Sequence, residues 1–158
     1  MILGNALDNP KVIEVLRAVG TPYVWGAGKP ADGVRAEWWR GTTSPLAPLE
    51  RKDARGFDCS GFVQAALVRL GRLSPEAEDR TAGQLYDVSP HIINGGEQFG
   101  DLAFYGTGRT THVALVLGPG LAISASGGTA NTFGDKLSAF VQIHRIAYRS
   151  DFRAIGRP

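Results

Sequence analysis

Cysteine is nearly absent from this chain. Of 158 residues only Cys59 carries a thiol, which excludes an internal disulfide and every zinc site built on a cysteine pair. No apolar run reaches the roughly 18 residues a membrane helix needs, so membrane insertion is not expected. Lysine and arginine form no dense run and the formal net charge is +2, so a nucleic-acid partner is not expected either. The opening MILGNALDNPKVIEVL lacks the basic start, long apolar middle and small-residue cleavage site of a secretory signal. The expectation is a protein made in the cytoplasm, with no signal peptide, that reaches any outside target by release or injection. Internal repeats and low-complexity segments are missing as well.

What is present describes a soluble globular protein. Hydrophobic residues make up 43% and charged residues 20%, and the length suits one domain over residues 1–158 with a real core. Monomer is the default expectation. A pI near 8.9 suits work near an anionic polymer such as a cell wall.

Asp8-Asn9-Pro10 followed by KVIEVLRAV and Gly20 reads as a capped helix, with Val12, Ile13, Leu16 and Val19 as its buried stripe. Residues 20–30 read as a short aromatic extended piece. Residues 30–56 are polar and aperiodic, a long inserted loop that carries Trp38 and Trp39. Ser60 to Leu70 reads as a helix stopped by Gly71, with Phe62, Val63, Ala66, Leu67 and Leu70 on one face. Thr81-Ala-Gly-Gln84 fits a capping box that opens another short helix. Five β-rich stretches follow, at 101–106, 111–118, 121–126, 140–145 and 152–156. Helices first and strands afterwards predict an α+β fold, an antiparallel sheet packed on N-terminal helices.

Cys59 falls at the start of the second helix, where unpaired N–H groups and the helix dipole favour a thiolate. The competing reading is a small hydrophobe in the core. Thiol chemistry also needs a base, and the histidines are His91, His112 and His144. His91 reads as a turn residue and His144 as a partly exposed strand position. His112 opens the apolar strand VALVLG, a place suited to a catalytic group.

The blocks GTPYVWG, GFDCSGFVQAAL, RTAGQLY, GDLAFYG and THVALVLGPG resemble, in that order, those of the NlpC/P60 cysteine peptidases, over roughly residues 10–157. The resemblance implies a papain-like fold and hydrolysis of peptidoglycan stem peptides, usually between γ-D-glutamate and a diamino acid, meso-diaminopimelate or lysine. By the same resemblance Cys59 is the nucleophile and His112 the general base. Tyr23 lies near the oxyanion, and Asp58 and Ser60 flank the nucleophile where relatives contact the stem peptide. Trp25 either contacts substrate or packs the cleft wall. No metal or organic cofactor is implied.

One position departs from the pattern. Many relatives place a second histidine, or another polar residue, about a dozen positions after the base to orient it. Here Ser124 stands there, and its hydroxyl lends the imidazole no charge. Three orienters are open: Ser124 itself, Ser126 or a nearby backbone carbonyl, and His144 reaching in from the next strand, the least expected of the three. Trp38 and Trp39 are open between a substrate lid and a pin that holds the loop to the core. Arg35, Arg40 and Arg51 are candidates for substrate carboxylates.

The expected activity is a cysteine endopeptidase acting on the bacterial wall. Within enzymes it competes with an N-acetylmuramoyl-L-alanine amidase or another amidase or acyltransferase using the same dyad. Outside enzymes the competitor is a phage tail structural or binding module with a weakened site. A phage endolysin, a tail lysin and an injected effector are the settings such a domain suits.

Overall fold

The computed structural model describes residues 8–29, 37–93 and 95–158. Arg35 lies outside them. Helix α1 spans Pro10–Leu16, α2 spans Cys59–Arg69 and α3 spans Ala82–Val88. The strands are β1 (His91–Ile92), β2 (Leu102–Tyr105), β3 (His112–Gly118), β4 (Leu121–Ser126), β5 (Phe140–Arg145) and β6 (Phe152–Gly156). They form one antiparallel sheet in the order β1-β6-β2-β3-β4-β5. This is the expected α+β arrangement, and the five anticipated strands are all present.

Helix starts follow side-chain chemistry. Asn9 caps α1 by accepting from the Lys11 N–H at 3.0 Å, with Pro10 in the first turn. Asp58 caps α2 by accepting from the Gly61 N–H at 2.7 Å. At α3 the Thr81–Gln84 capping box forms in both directions.

The core lies between α2 and one face of the sheet. Phe62, Val63, Ala66 and Leu67 of α2 meet Val113, Leu115, Leu117, Ile123, Ala125 and Val141. Phe57, just before the helix, packs edge-on against Phe62 with ring centroids 5.6 Å apart. Burial of each large side chain here contributes about 2 kcal/mol. The other face carries a smaller cluster of Ala103, Tyr105, Ala114, Val116, Ala122, Ile146 and Ile155. Strand β3 is therefore buried along its whole length, which explains its unbroken apolar run.

Three expectations need correction. Ile13 and Val19 are exposed, and Val12 and Val15 form the buried side of α1. The helix closes at Arg17, so the longer 3.6-residue stripe through Val19 never forms. α2 is buried on nearly all sides, from Ser60 to Val68, and not along one stripe. His91 lies in an edge strand, opposite Gly156 of β6, because the turn after α3 brings it against the last strand.

Candidate active site

Cys59 is the first residue of α2, and the chain around it is fixed by backbone groups and by the Asp58 cap. The Asp58 N–H donates to the Ala27 carbonyl at 3.0 Å, and the Asp58 carboxylate holds the Gly61 N–H. Ser60 Oγ lies 3.4 Å from the same Asp58 oxygen. The first turn of α2 is thus tied to residues 26–28 before the helix begins. Cys59 keeps a partly exposed edge although its thiol sits deep.

His112 belongs to the sheet face that points away from α2, yet it opens β3, and the strand's end abuts the start of the helix. The Val113 N–H faces the Cys59 sulfur, so the two residues are brought together by strand end and helix start. Both line one cleft of about 1150 Å³. Tyr23, Trp25, Asp58 and Ser60 line it too, with Thr81 to Gly83 and Tyr86 from α3 and Arg109, Arg149 and Arg153 from the sheet side.

Burial sets the electrostatics. It pushes the Cys59 thiol up to about 12, reinforced by the Asp58 charge, against the opposing pull of the Val113, Ser60 and Cys59 backbone N–H groups. Burial likewise drives His112 down to about 3, with Arg149 and His144 acting in the same direction. Both shifts favour the uncharged thiol and imidazole, so desolvation works against the helix dipole that the position of Cys59 supplies. Burial also raises the Tyr23 hydroxyl, as do the Cys59 and Asp58 charges, so the phenol keeps its proton. The Asp58 carboxyl is pushed up to about 6 by burial, which exceeds the effect of its hydrogen bond from Gly61.

A polar cluster holds the far side of His112. Its Nε2 lies 3.3 Å from Ser124 Oγ and 3.0 Å from the Tyr148 hydroxyl. Ser124 Oγ in turn lies 2.7 Å from His144 Nε2. His144 opposes Ala122 and Ser124 opposes Gln142, so His144 is the diagonal neighbour of Ser124 on one sheet face, within reach of a ring. Of the three candidate orienters, Ser124 contacts His112, His144 contacts Ser124 and not the His112 ring, and Ser126 lines the cleft without a hydrogen bond to His112 among the described residues. Tyr148 was missed. It sits 36 positions from His112, in a turn that no periodicity announces.

The long loop behaves as a pin. Trp38 is buried, and its indole N–H donates to Glu14 Oε1 at 2.9 Å. Trp39 packs against the core between the guanidinium groups of Arg17 and Arg40. Neither tryptophan lines the cleft, and among the described residues of this loop Leu46 is the one that does. Arg40 stacks on Trp39, and Arg51 pairs with Asp135 at 3.8 Å. Among the described residues the arginines that line the cleft are Arg109, Arg149 and Arg153, which the sequence did not single out. Trp25 is 37% exposed on the cleft wall. Among the described residues no cluster of His, Cys, Asp or Glu could hold a metal ion, and no helix is long and apolar enough to cross a membrane.

The NlpC/P60 family model matches residues 20–145. Peptidoglycan endopeptidase RipB of Mycobacterium tuberculosis is 36% identical over 112 residues, covering 69% of this chain and 39% of RipB. The chain therefore spans about two fifths of that relative's length. The solved structure of the peptidoglycan hydrolase RipB from the same organism superposes with a TM-score of 0.62 at 28% identity, covering 98% of this chain and 66% of that one. RipD of Mycobacterium tuberculosis, a non-catalytic NlpC/p60 domain protein adapted to peptidoglycan binding, superposes with a TM-score of 0.65 at 25% identity, covering 93% of each chain.

Proposed function

The chain belongs to the NlpC/P60 family, and from that premise we propose that it is a cysteine endopeptidase of peptidoglycan stem peptides, cutting between γ-D-glutamate and the diamino acid. The observation that carries this reading is the meeting of Cys59 and His112 in one cleft, at a helix start and a strand start.

Because burial favours the uncharged pair, proton transfer accompanies the attack. As the Cys59 sulfur attacks the scissile carbonyl, its proton passes to His112 Nδ1, the ring nitrogen that Ser124 and Tyr148 leave unoccupied. The C–S bond forms and the carbonyl electrons move to oxygen. The Cys59 backbone N–H and the protonated Tyr23 hydroxyl are the donors placed to receive that oxyanion. Collapse breaks the C–N bond, and His112 returns its proton to the leaving amine. Water then attacks the thioester, giving up a proton to His112, and releases the acid with the thiol restored.

A binding module of the RipD kind is the second reading, favoured by that structural likeness. Digestion of purified peptidoglycan by the wild type and by Cys59→Ala, read by mass spectrometry, separates the readings. The expected result is stem peptides cut at γ-D-glutamyl–diamino acid by the wild type, with the rate down about 10⁴-fold or more in the variant. Release of whole stem peptides from the glycan would make the protein an amidase with the same dyad. Absence of any product, with binding retained, would make it a binding module.

A further inference from the structure

We propose that His144, held against Tyr148, is a positioning residue that sets the tautomer of His112 through the Ser124 hydroxyl. The catalytic consequence rests on the function proposed above; the tautomer itself does not.

The chain of reasoning starts at a backbone carbonyl. His144 Nδ1 lies 3.0 Å from the Arg145 carbonyl oxygen, which can only accept, so Nδ1 carries the hydrogen. A neutral imidazole has one N–H, which leaves a lone pair on Nε2. Burial, with Arg149 nearby, lowers the His144 pKa from its ordinary value and so favours the neutral ring, against the opposing pull of the Arg145 carbonyl. Ser124 Oγ, 2.7 Å from that Nε2, must therefore donate its single hydrogen to it. Having given that hydrogen away, Ser124 can only accept from His112 Nε2 at 3.3 Å. The Tyr148 oxygen, 3.0 Å from the same nitrogen, accepts as well. His112 is left as the Nε2–H tautomer, with its Nδ1 lone pair free for the Cys59 proton.

The rings are fixed as well as the hydrogens. His144 stacks on Tyr148 with centroids 3.7 Å apart and planes at 27°. Tyr148 meets Tyr105 edge-on at 5.5 Å, and the Tyr105 hydroxyl donates to the Ile146 carbonyl at 2.7 Å. Ser124 by itself holds an imidazole loosely, since its hydroxyl rotates. Anchored by His144 it becomes a directed acceptor, and each hydrogen bond polarises the next as His112 takes up charge.

Long-range ¹H–¹⁵N NMR of histidine-labelled protein reads the tautomers directly. The expected spectrum has His112 protonated at Nε2 and His144 at Nδ1. His144→Phe keeps the stack on Tyr148 and removes both nitrogens. In it, His112 should lose its single tautomer and kcat on a soluble stem peptide should fall about tenfold with KM unchanged. His144→Gln, whose side-chain oxygen can accept from Ser124, should restore most of both. A wild-type His112 protonated at Nδ1, or a His144→Phe protein with His112 tautomer and kcat unchanged, overturns the proposal. So does a His144→Gln protein that folds and shows neither recovery. Wild-type protein with the expected tautomers but no hydrolysis would uphold the relay and sink the proposed activity, so the two ideas fail separately.

Discussion

On the helix side of the cleft, every contact that shapes the nucleophile is made within a few residues or by backbone. Asp58 reaches Gly61 and Ser60, and the Ala27 carbonyl holds the Asp58 N–H. On the sheet side, the base is held by side chains 12, 20 and 36 positions apart along the chain. The first wall rests on peptide groups and on the short Asp58 side chain that caps them. The second is a set of single hydrogens on rotatable or tautomeric groups, and its order is cooperative. A nucleophile needs a fixed position, which backbone supplies. A base needs a defined protonation state, which only a hydrogen-bonded network can impose.

Gly61→Ala tests the rigid wall and carries the largest expected effect. A methyl there would lie 2.3 Å from the Ala27 carbonyl oxygen and 2.8 Å from Asp58 Oδ1. Both atoms are already engaged in holding the helix start, so the first turn must shift. Urea unfolding should show a loss of about 3 kcal/mol, and kcat/KM should fall about a hundredfold because Cys59 moves with that turn. A variant as stable and active as wild type would show that this wall yields after all.

Asp58→Asn probes the same wall through its charge. The folded-state carboxyl is raised to about 6 from 3.8, so its contribution to stability is full below about pH 4 and is lost as pH rises through about 6. Asparagine keeps the capping role and does not titrate. The stability of the variant relative to wild type should therefore rise by about 2 kcal/mol between about pH 4 and about pH 8, allowing for partial solvation of the carboxyl. A pH-independent difference in denaturant titrations would mean that Asp58 is not desolvated.

The contrast between the walls also decides what could be read without a structure. The helix wall was legible: the acid before Cys59, the glycine after Ser60 and the apolar run behind them are local signals with local causes. The strands were legible for the same reason, since β3 and β4 are apolar and bounded by glycine turns. The separation of 12 positions between His112 and Ser124 is simply the length of one hairpin. What escaped depends on register: nothing in FVQIHR says that His144 falls diagonal to Ser124, and Tyr148 lies past residue 145, where the family match ends. Trp38 escaped through its distant partner Glu14. The thiol's elevation escaped because helix position is visible in sequence and desolvation is not.

A double-mutant cycle gives the smallest effect and the sharpest test of the comparison. If Ser124 and His144 act as one chain, Ser124→Ala already disconnects His144 from His112. His144→Phe added to it should then cost little more, giving a coupling of about 1 kcal/mol in the activation free energy from kcat/KM. The matching cycle across the cleft, Asp58→Asn with His144→Phe, should be additive within about 0.5 kcal/mol, since among the described residues no hydrogen bond runs from Asp58 to the Ser124–His144 cluster. Additivity in the first cycle would reduce the sheet wall to independent contacts. Strong coupling in the second would mean that the two walls respond as one body, and the division between a backbone-built and a network-built side would be lost.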